Sequence, residues 1–331
     1  MPMQNSMPIE KAMPVENSMP VENSTPVSHA PGRHYRVRGH RLWVETEGDG
    51  EPLVLLAGLG PAGSHVIFHP FFTGLAGTHR LVYVDLHGRG RSDQPADLAA
   101  ITFAGDVADT AELISELGLG PVHVYGFSYG GLLGQALALD HPGLLRSLII
   151  ANSLHSPEMW QANHANINAE LARQDPQAWD QITALRSRGL RSTDQELAGR
   201  LAAAARLVRF YNPDHASLLA SEPGARNTEL YPVFAGADVD FIIGGQVARI
   251  PDFRPRLKDI TIPVMVLAGR YDRALYPRLQ RQFTEYAPRI RLEFLERSGS
   301  FSHVEEPGAV FALVREFTLR DLHLPSPGTS G

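Results

Sequence analysis

The sequence contains no cysteine, which excludes disulfides, thiolate metal sites and a cysteine nucleophile together. No apolar run approaches the roughly 20 residues needed to span a bilayer. No block of lysine or arginine marks a nucleic-acid or membrane surface, because the net charge of −6 arises from acids and bases mixed along the chain. Partners of those classes are not expected; a small-molecule ligand is, and no metal or cofactor is called for. The lack of cysteine suits a reducing cytoplasm. Oligomeric state is left open. Apolar residues are abundant: 43% of 331 are hydrophobic, enough for one large core or a core with an insertion.

Residues 1–30 are a hexapeptide repeat, MPMQNS, MPIEKA, MPVENS, MPVENS and TPVSHA. Proline every sixth residue with little apolar mass predicts a disordered tail, and a signal peptide is not expected without a continuous apolar segment. Met1, Met7, Met13 and Met19 are each possible translation starts. Residues 324–331 are read as a second flexible tail.

Between the tails, strands alternate with helices. His34–Arg38 and Arg41–Glu45 flank Gly39-His40 as a hairpin. Leu53–Leu56, Leu81–Val84, Val122–Tyr125, Leu148–Ala151, Val264–Ala268 and Arg291–Phe294 are short apolar strands, with helices over Asp106–Leu117, Leu132–His141 and Pro307–Leu319. This rhythm predicts an α/β fold with a mostly parallel eight-stranded sheet covered by helices on both faces. The core is expected over 31–152 and 259–323. Residues 153–258 read as an inserted helical cap, with a capping box at Thr193–Glu196 and a helical face of Leu197, Leu201, Ala204, Val208 and Tyr211.

The chemistry centres on Gly126-Phe127-Ser128-Tyr129-Gly130, a G-x-S-x-G pentapeptide between a strand and a helix. Such a nucleophile elbow pushes the serine hydroxyl out of the sheet. A serine needs a base and an orienting carboxylate, expected in the order Ser, Asp, His at later strand ends. Asp272, in Gly269-Arg270-Tyr271-Asp272, and His303, in Ser298-Gly299-Ser300-Phe301-Ser302-His303, stand at such ends, so Ser128, Asp272 and His303 are read as a triad. The backbone N–H groups of Tyr129 and Leu59 are read as the oxyanion hole. Gly58-Leu59-Gly60-Pro61-Ala62-Gly63 also spells G-x-G-x-x-G, with Asp85 closing the next strand, the outline of a dinucleotide site. Gly63, His69-Pro70 and Gly74 interrupt the helix that reading requires. A non-catalytic binding protein on the same fold is the other alternative.

With these residues in place, the chain from about Tyr35 to Leu319 resembles the α/β-hydrolases. GLGPAGSH, GFSYGG and GRYD resemble the proline iminopeptidase and tricorn-interacting-factor branch, and His87–Asp93 resembles a structural loop of the superfamily. The likeness extends to serine esterases that open macrolide lactones. It implies a serine hydrolase cleaving an ester or lactone, or alternatively an aminopeptidase releasing an N-terminal residue. Ala57-Gly58-Leu59-Gly60-Pro61 departs from the His-Gly-Gly-Pro-Gly of those peptidases. The peptidase alternative requires cap carboxylates, for which Glu222 and Asp240 are candidates. Trp160, Phe210, Tyr211, Tyr231, Phe234 and Phe241 are the candidate lining of an apolar substrate pocket.

Overall fold

Arg38 and Gly39 both take positive φ, 46° and 95°, the turn geometry whose twist suits a two-residue hairpin. They join β1 (Gly32–Val37) to β2 (His40–Glu47). This is a computed structural model, describing residues 27–220 and 222–319. Residues 1–26 and 320–331, which hold most of both expected tails, lie outside the described residues. His29 is described, and it sits against the body, bonded to Glu45 and Glu222; the last residues assigned to the tail are therefore seated on the fold.

Six further strands follow: β3 (Glu51–Leu56), β4 (His79–Val84), β5 (Val122–Phe127), β6 (Leu145–Ala151), β7 (Val264–Gly269) and β8 (Arg291–Leu295). The order across the sheet is β1-β2-β4-β3-β5-β6-β7-β8. Only β2 runs antiparallel to its neighbours. This is the α/β-hydrolase architecture, an eight-stranded, mostly parallel sheet.

The central strands are mostly apolar because both faces are covered, and their two-residue period separates two cores. Val54, Leu56, Val124, Ile150 and Val266 pack with α1 (Phe103–Leu117), α2 (Tyr129–Asp140) and α7 (Pro277–Tyr286). Leu53, Leu55, Tyr125, Ile149 and Leu267 pack on the other face with Phe68, Phe72 and α9 (Pro307–Thr318). α1 begins with Thr102 accepting from Gly105 N–H and ends at left-handed Gly118.

Between β6 and β7 lie α3 (Pro157–Gln174), α4 (Pro176–Ser187), α5 (Gln195–Arg209) and α6 (Leu230–Ala235). Leu171, Ile182, Leu185, Leu197 and Leu201 form a small core of their own. Val208 is buried on the expected face, whereas Tyr211 lies beyond α5 and is exposed; the Ala204 side chain is outside the described ones. The capping box does not form: Asp194 is the N-cap of α5 and makes no side-chain bond into the helix. Among the described residues, no helix is long and apolar enough to cross a membrane.

Candidate active site

Ser128 stands between β5 and α2 with φ 51° and ψ −114°, a conformation costing roughly 1–3 kcal/mol outside glycine. Its neighbours hold it there. The Ser128 N–H donates to Ala151 O at 2.9 Å, and the Ser128 carbonyl accepts from Gly131 N–H at 2.9 Å and from the Ser153 hydroxyl at 2.5 Å. Gly130 is required because a Cβ there would stand 2.0 Å from Leu56 O.

The loop after β3 presses on this elbow, since a Cβ on Gly58 would stand 2.5 Å from Ser128 Cβ. Leu59 follows at φ 74°, capping a short 3-10 turn over Gly60–Ala62. Tyr129 opens α2, so its N–H belongs to the first turn, which has no acceptor within a helix. The two expected oxyanion donors thus flank the serine from two elements.

A buried brace fixes that loop. Fully buried Arg89 donates from Nε to Pro61 O at 2.7 Å and from Nη1 and Nη2 to the two Asp106 oxygens at 2.8 and 2.7 Å. The Tyr129 hydroxyl donates to Asp106 Oδ2 at 2.7 Å. The loop likened to a structural element by sequence therefore ties α1, the elbow and the loop after β3 together.

Asp272 lies on the turn after β7 and is buried. Its Oδ1 accepts from Leu275 N–H at 2.8 Å, Ala274 N–H at 2.9 Å and the Ser300 hydroxyl at 3.0 Å. Burial raises its pKa above the ordinary carboxylate value, against these bonds and the field of Arg209.

His303 is where the sequence expectation needs correction. It lies within α8 (Ser302–Glu305), a single helical turn, and its Nε2–H donates to Ile67 O at 3.2 Å. Phe127 meets its ring edge-on at 4.7 Å, with Phe68 and Phe72 about it. Nδ1 has no partner, and burial pushes the pKa down to about 4. Among the described residues no hydrogen bond joins His303 to Asp272 or Ser128. Helix α8 begins two residues after Ser300, and this turn carries the imidazole into the apolar layer beneath the sheet. Ser300, not His303, meets the carboxylate.

The cap residues divide. Trp160 and Phe234 pack on Tyr129 at 6.4 and 5.7 Å, and Tyr231 fills the space beside Gly60. Phe210 stacks on Phe301, next to Ser300, at 4.7 Å. Tyr211 is exposed against Tyr271, and Phe241 lies under Arg186 in the cap. Asp240 Oδ1 lies 3.4 Å from His164 Nδ1. Burial opposes its charge, but bonds to His164 and Ser192 and the field of Arg209 hold its pKa below the ordinary value. Glu222 is withdrawn from the cap, 2.8 Å from His29 and 3.8 Å from Arg91. Two surface clefts are lined by other residues than Ser128: one by Pro263 and Arg289, just before β7 and β8, and one by Arg38, Glu112 of α1 and His141.

The alpha/beta hydrolase fold family model matches residues 51–307. The chain belongs to the α/β-hydrolase family. The hydrolase is 26% identical over 281 residues to a proline iminopeptidase of Heyndrickxia coagulans, spanning 82% of this chain and 92% of that one. It is 30% identical over 270 residues to a Pseudomonas savastanoi pv. phaseolicola protein named for carbamate hydrolysis, spanning 81% and 93%. The solved proline iminopeptidase of Mycobacterium smegmatis superposes with a TM-score of 0.71 at 25% identity, covering 87% of this chain and 97% of its own. The hydrolase is an enzyme of this family.

Sequence reasoning missed Ser300, because a hydroxyl beside a candidate histidine carries no signal of a base. It also missed a convergence of His29, Glu45, His65 and His69. The spacing His65-Val66-Ile67-Phe68-His69 was the available sign, since histidines four apart are common metal-ligand spacing.

Proposed function

We propose that the protein is a serine hydrolase cleaving a carboxylic ester or lactone through an acyl-enzyme on Ser128. The observation that carries the ester reading is the Ser300 hydroxyl, rather than an imidazole, on Asp272. Ser128 attacks the carbonyl, and the Leu59 and Tyr129 N–H groups receive the oxyanion. Asp272, whose protonation burial favours, takes up the serine proton through Ser300 and returns it to the departing alkoxide. A carboxylate relayed through a hydroxyl is a weaker base than an imidazole, and it forms no imidazolium to hand a proton to a leaving nitrogen. An amide must protonate its leaving nitrogen, whereas an ester or lactone leaves as an alkoxide with less help.

The cap supports the same reading. Asp240 is paired with His164, and Glu222 with His29 and Arg91, so neither is free to hold an α-ammonium group. Trp160 and Phe234 pack on Tyr129, Tyr231 beside Gly60 and Phe210 on Phe301, and this apolar surround of the elbow is the part of the proposal that favours a bulky lactone such as a macrolide ring. The aminopeptidase reading rests on the likeness to proline iminopeptidases.

The test compares a short p-nitrophenyl ester with prolyl and alanyl p-nitroanilides, using wild type and Ser128→Ala. Ester cleavage that depends on Ser128, with inert anilides, is expected. Efficient anilide cleavage would assign the protein to the peptidases, and ester turnover undiminished in Ser128→Ala would remove the serine mechanism altogether.

A further inference from the structure

We propose that His29, Glu45, His65 and His69 form a binding site for one divalent transition-metal ion of the zinc class, independent of the serine chemistry. The four residues each offer one donor atom, and these atoms lie within 4.8 Å of one another. They come from three separate elements: the segment before β1, strand β2, and the turn after the Gly58–Gly63 loop. Glu45, His65 and His69 are buried.

The three imidazoles surround one carboxylate. His29 Nδ1 is 2.9 Å from Glu45 Oε1, His65 Nε2 is 3.2 Å from Oε1, and His69 Nε2 is 3.5 Å from Oε2. The ring centroids form a triangle with all three sides 5.5 Å. Nitrogens about 2.0–2.1 Å from a tetrahedral zinc, with each ring centre about 1.1 Å behind its nitrogen, set ring centres about 5 Å apart.

Two of the three outward nitrogens are committed to carboxylates. His65 Nδ1 pairs with Asp85 Oδ1 at 2.8 Å, and His29 Nε2 with Glu222 Oε2 at 2.8 Å. A metal-bound histidine has this second contact, which fixes the tautomer and aims the other lone pair at the metal. With those protons placed outward, His29 Nδ1 and His65 Nε2 turn lone pairs toward the Glu45 carboxylate, and His69 Nε2 is buried with no partner. In those tautomers acceptors face acceptors, and a divalent ion takes the place that imidazole protons otherwise fill between the rings and the carboxylate. One divalent ion satisfies all four. Trp43 Nε1 and Arg91 Nη1 donate to Glu45 Oε1 at 3.0 and 3.2 Å, orienting the carboxylate. Imidazole and carboxylate donors suit zinc and its neighbours rather than magnesium or calcium. Four protein ligands make a closed site, so its role is to pin residues 27–31 and the 64–70 turn to β2.

The full chain, stripped with EDTA and dialysed into metal-free buffer, is titrated with Co²⁺ while the visible spectrum is followed, then with Zn²⁺ in competition. The expected result is about one equivalent bound with the intense visible bands of tetrahedral cobalt, displaced by zinc. Binding is expected to weaken about tenfold or more in His29→Ala and in His69→Gln. His29→Ala alters only a partly exposed residue at the edge of the fold, and circular dichroism checks that it folds. His87→Ala probes the separate His40, His87 and Asp109 group and is expected to change nothing. No stoichiometric binding, a six-coordinate spectrum, or binding lost in His87→Ala but kept in His29→Ala and His69→Gln would overturn the site.

Discussion

Asp272 accepts from Ser300, while one turn further on His303 donates to Ile67 O among phenylalanine rings. A three-residue offset in the chain thus separates a hydroxyl on the carboxylate from an imidazole among phenylalanine rings. The positions of Ser128 and Asp272 were legible in the sequence, because the elbow glycines and strand ends leave strong signs; the third partner was read as a histidine. The offset was not, since it depends on where the loop after β8 becomes helical. Placing an imidazole at the carboxylate should matter: Ser300→His is expected to raise kcat/KM for a p-nitrophenyl ester by about a hundredfold, within the range of general-base catalysis. The same variant should acquire an acid limb near the histidine value of about 6.5. In the wild type that limb should be missing, because His303 is held neutral to about pH 4 and Asp272 is the relay's titrating group. An unchanged rate and profile in Ser300→His would argue that Ser300 lies off the proton path.

Helices and loops are fixed by a few buried contacts that the sequence only partly announced. The strands were legible because their apolar runs end at glycine or aspartate, and α1 because its face repeats and Gly118 stops it. α7 escaped notice: only Gln280 and Phe283 are buried in an otherwise polar helix. The Arg89–Asp106 brace was invisible as well, since it pairs residues seventeen apart directly and draws in Tyr129 as a further donor. Asp106→Asn leaves the Arg89 guanidinium buried against a neutral group, and a loss of about 3–5 kcal/mol is expected in urea unfolding. A loss under about 1 kcal/mol would mean that the brace is relaxed by water or by loop movement. Ser156 accepts from Met159 N–H at the start of α3, so Ser156→Ala should cost about 1 kcal/mol.

Across the whole molecule, four buried histidines share one electrostatic situation. His79, His123, His155 and His303 are each pushed down to about 4 by burial. The unfolded chain binds protons at these positions near pH 6.5, whereas the folded chain does so only near pH 4. Their contribution to stability is therefore complete above about pH 6.5 and is lost as pH falls toward 4. The melting temperature should drop steeply between pH 6.5 and 4.5, and His123→Gln should flatten that drop. A melting temperature constant over this interval would contradict the neutral burial of these rings.

The central claim, that Ser128 works with Ser300 and Asp272 rather than with His303, is tested most directly by kcat/KM of His303→Gln on a p-nitrophenyl ester. Glutamine keeps an N–H for Ile67 O but cannot act as a base. A value within about threefold of wild type is expected. A loss of about a thousandfold or more, with the fold intact, would return His303 to the catalytic centre and contradict the assignment of Ser300.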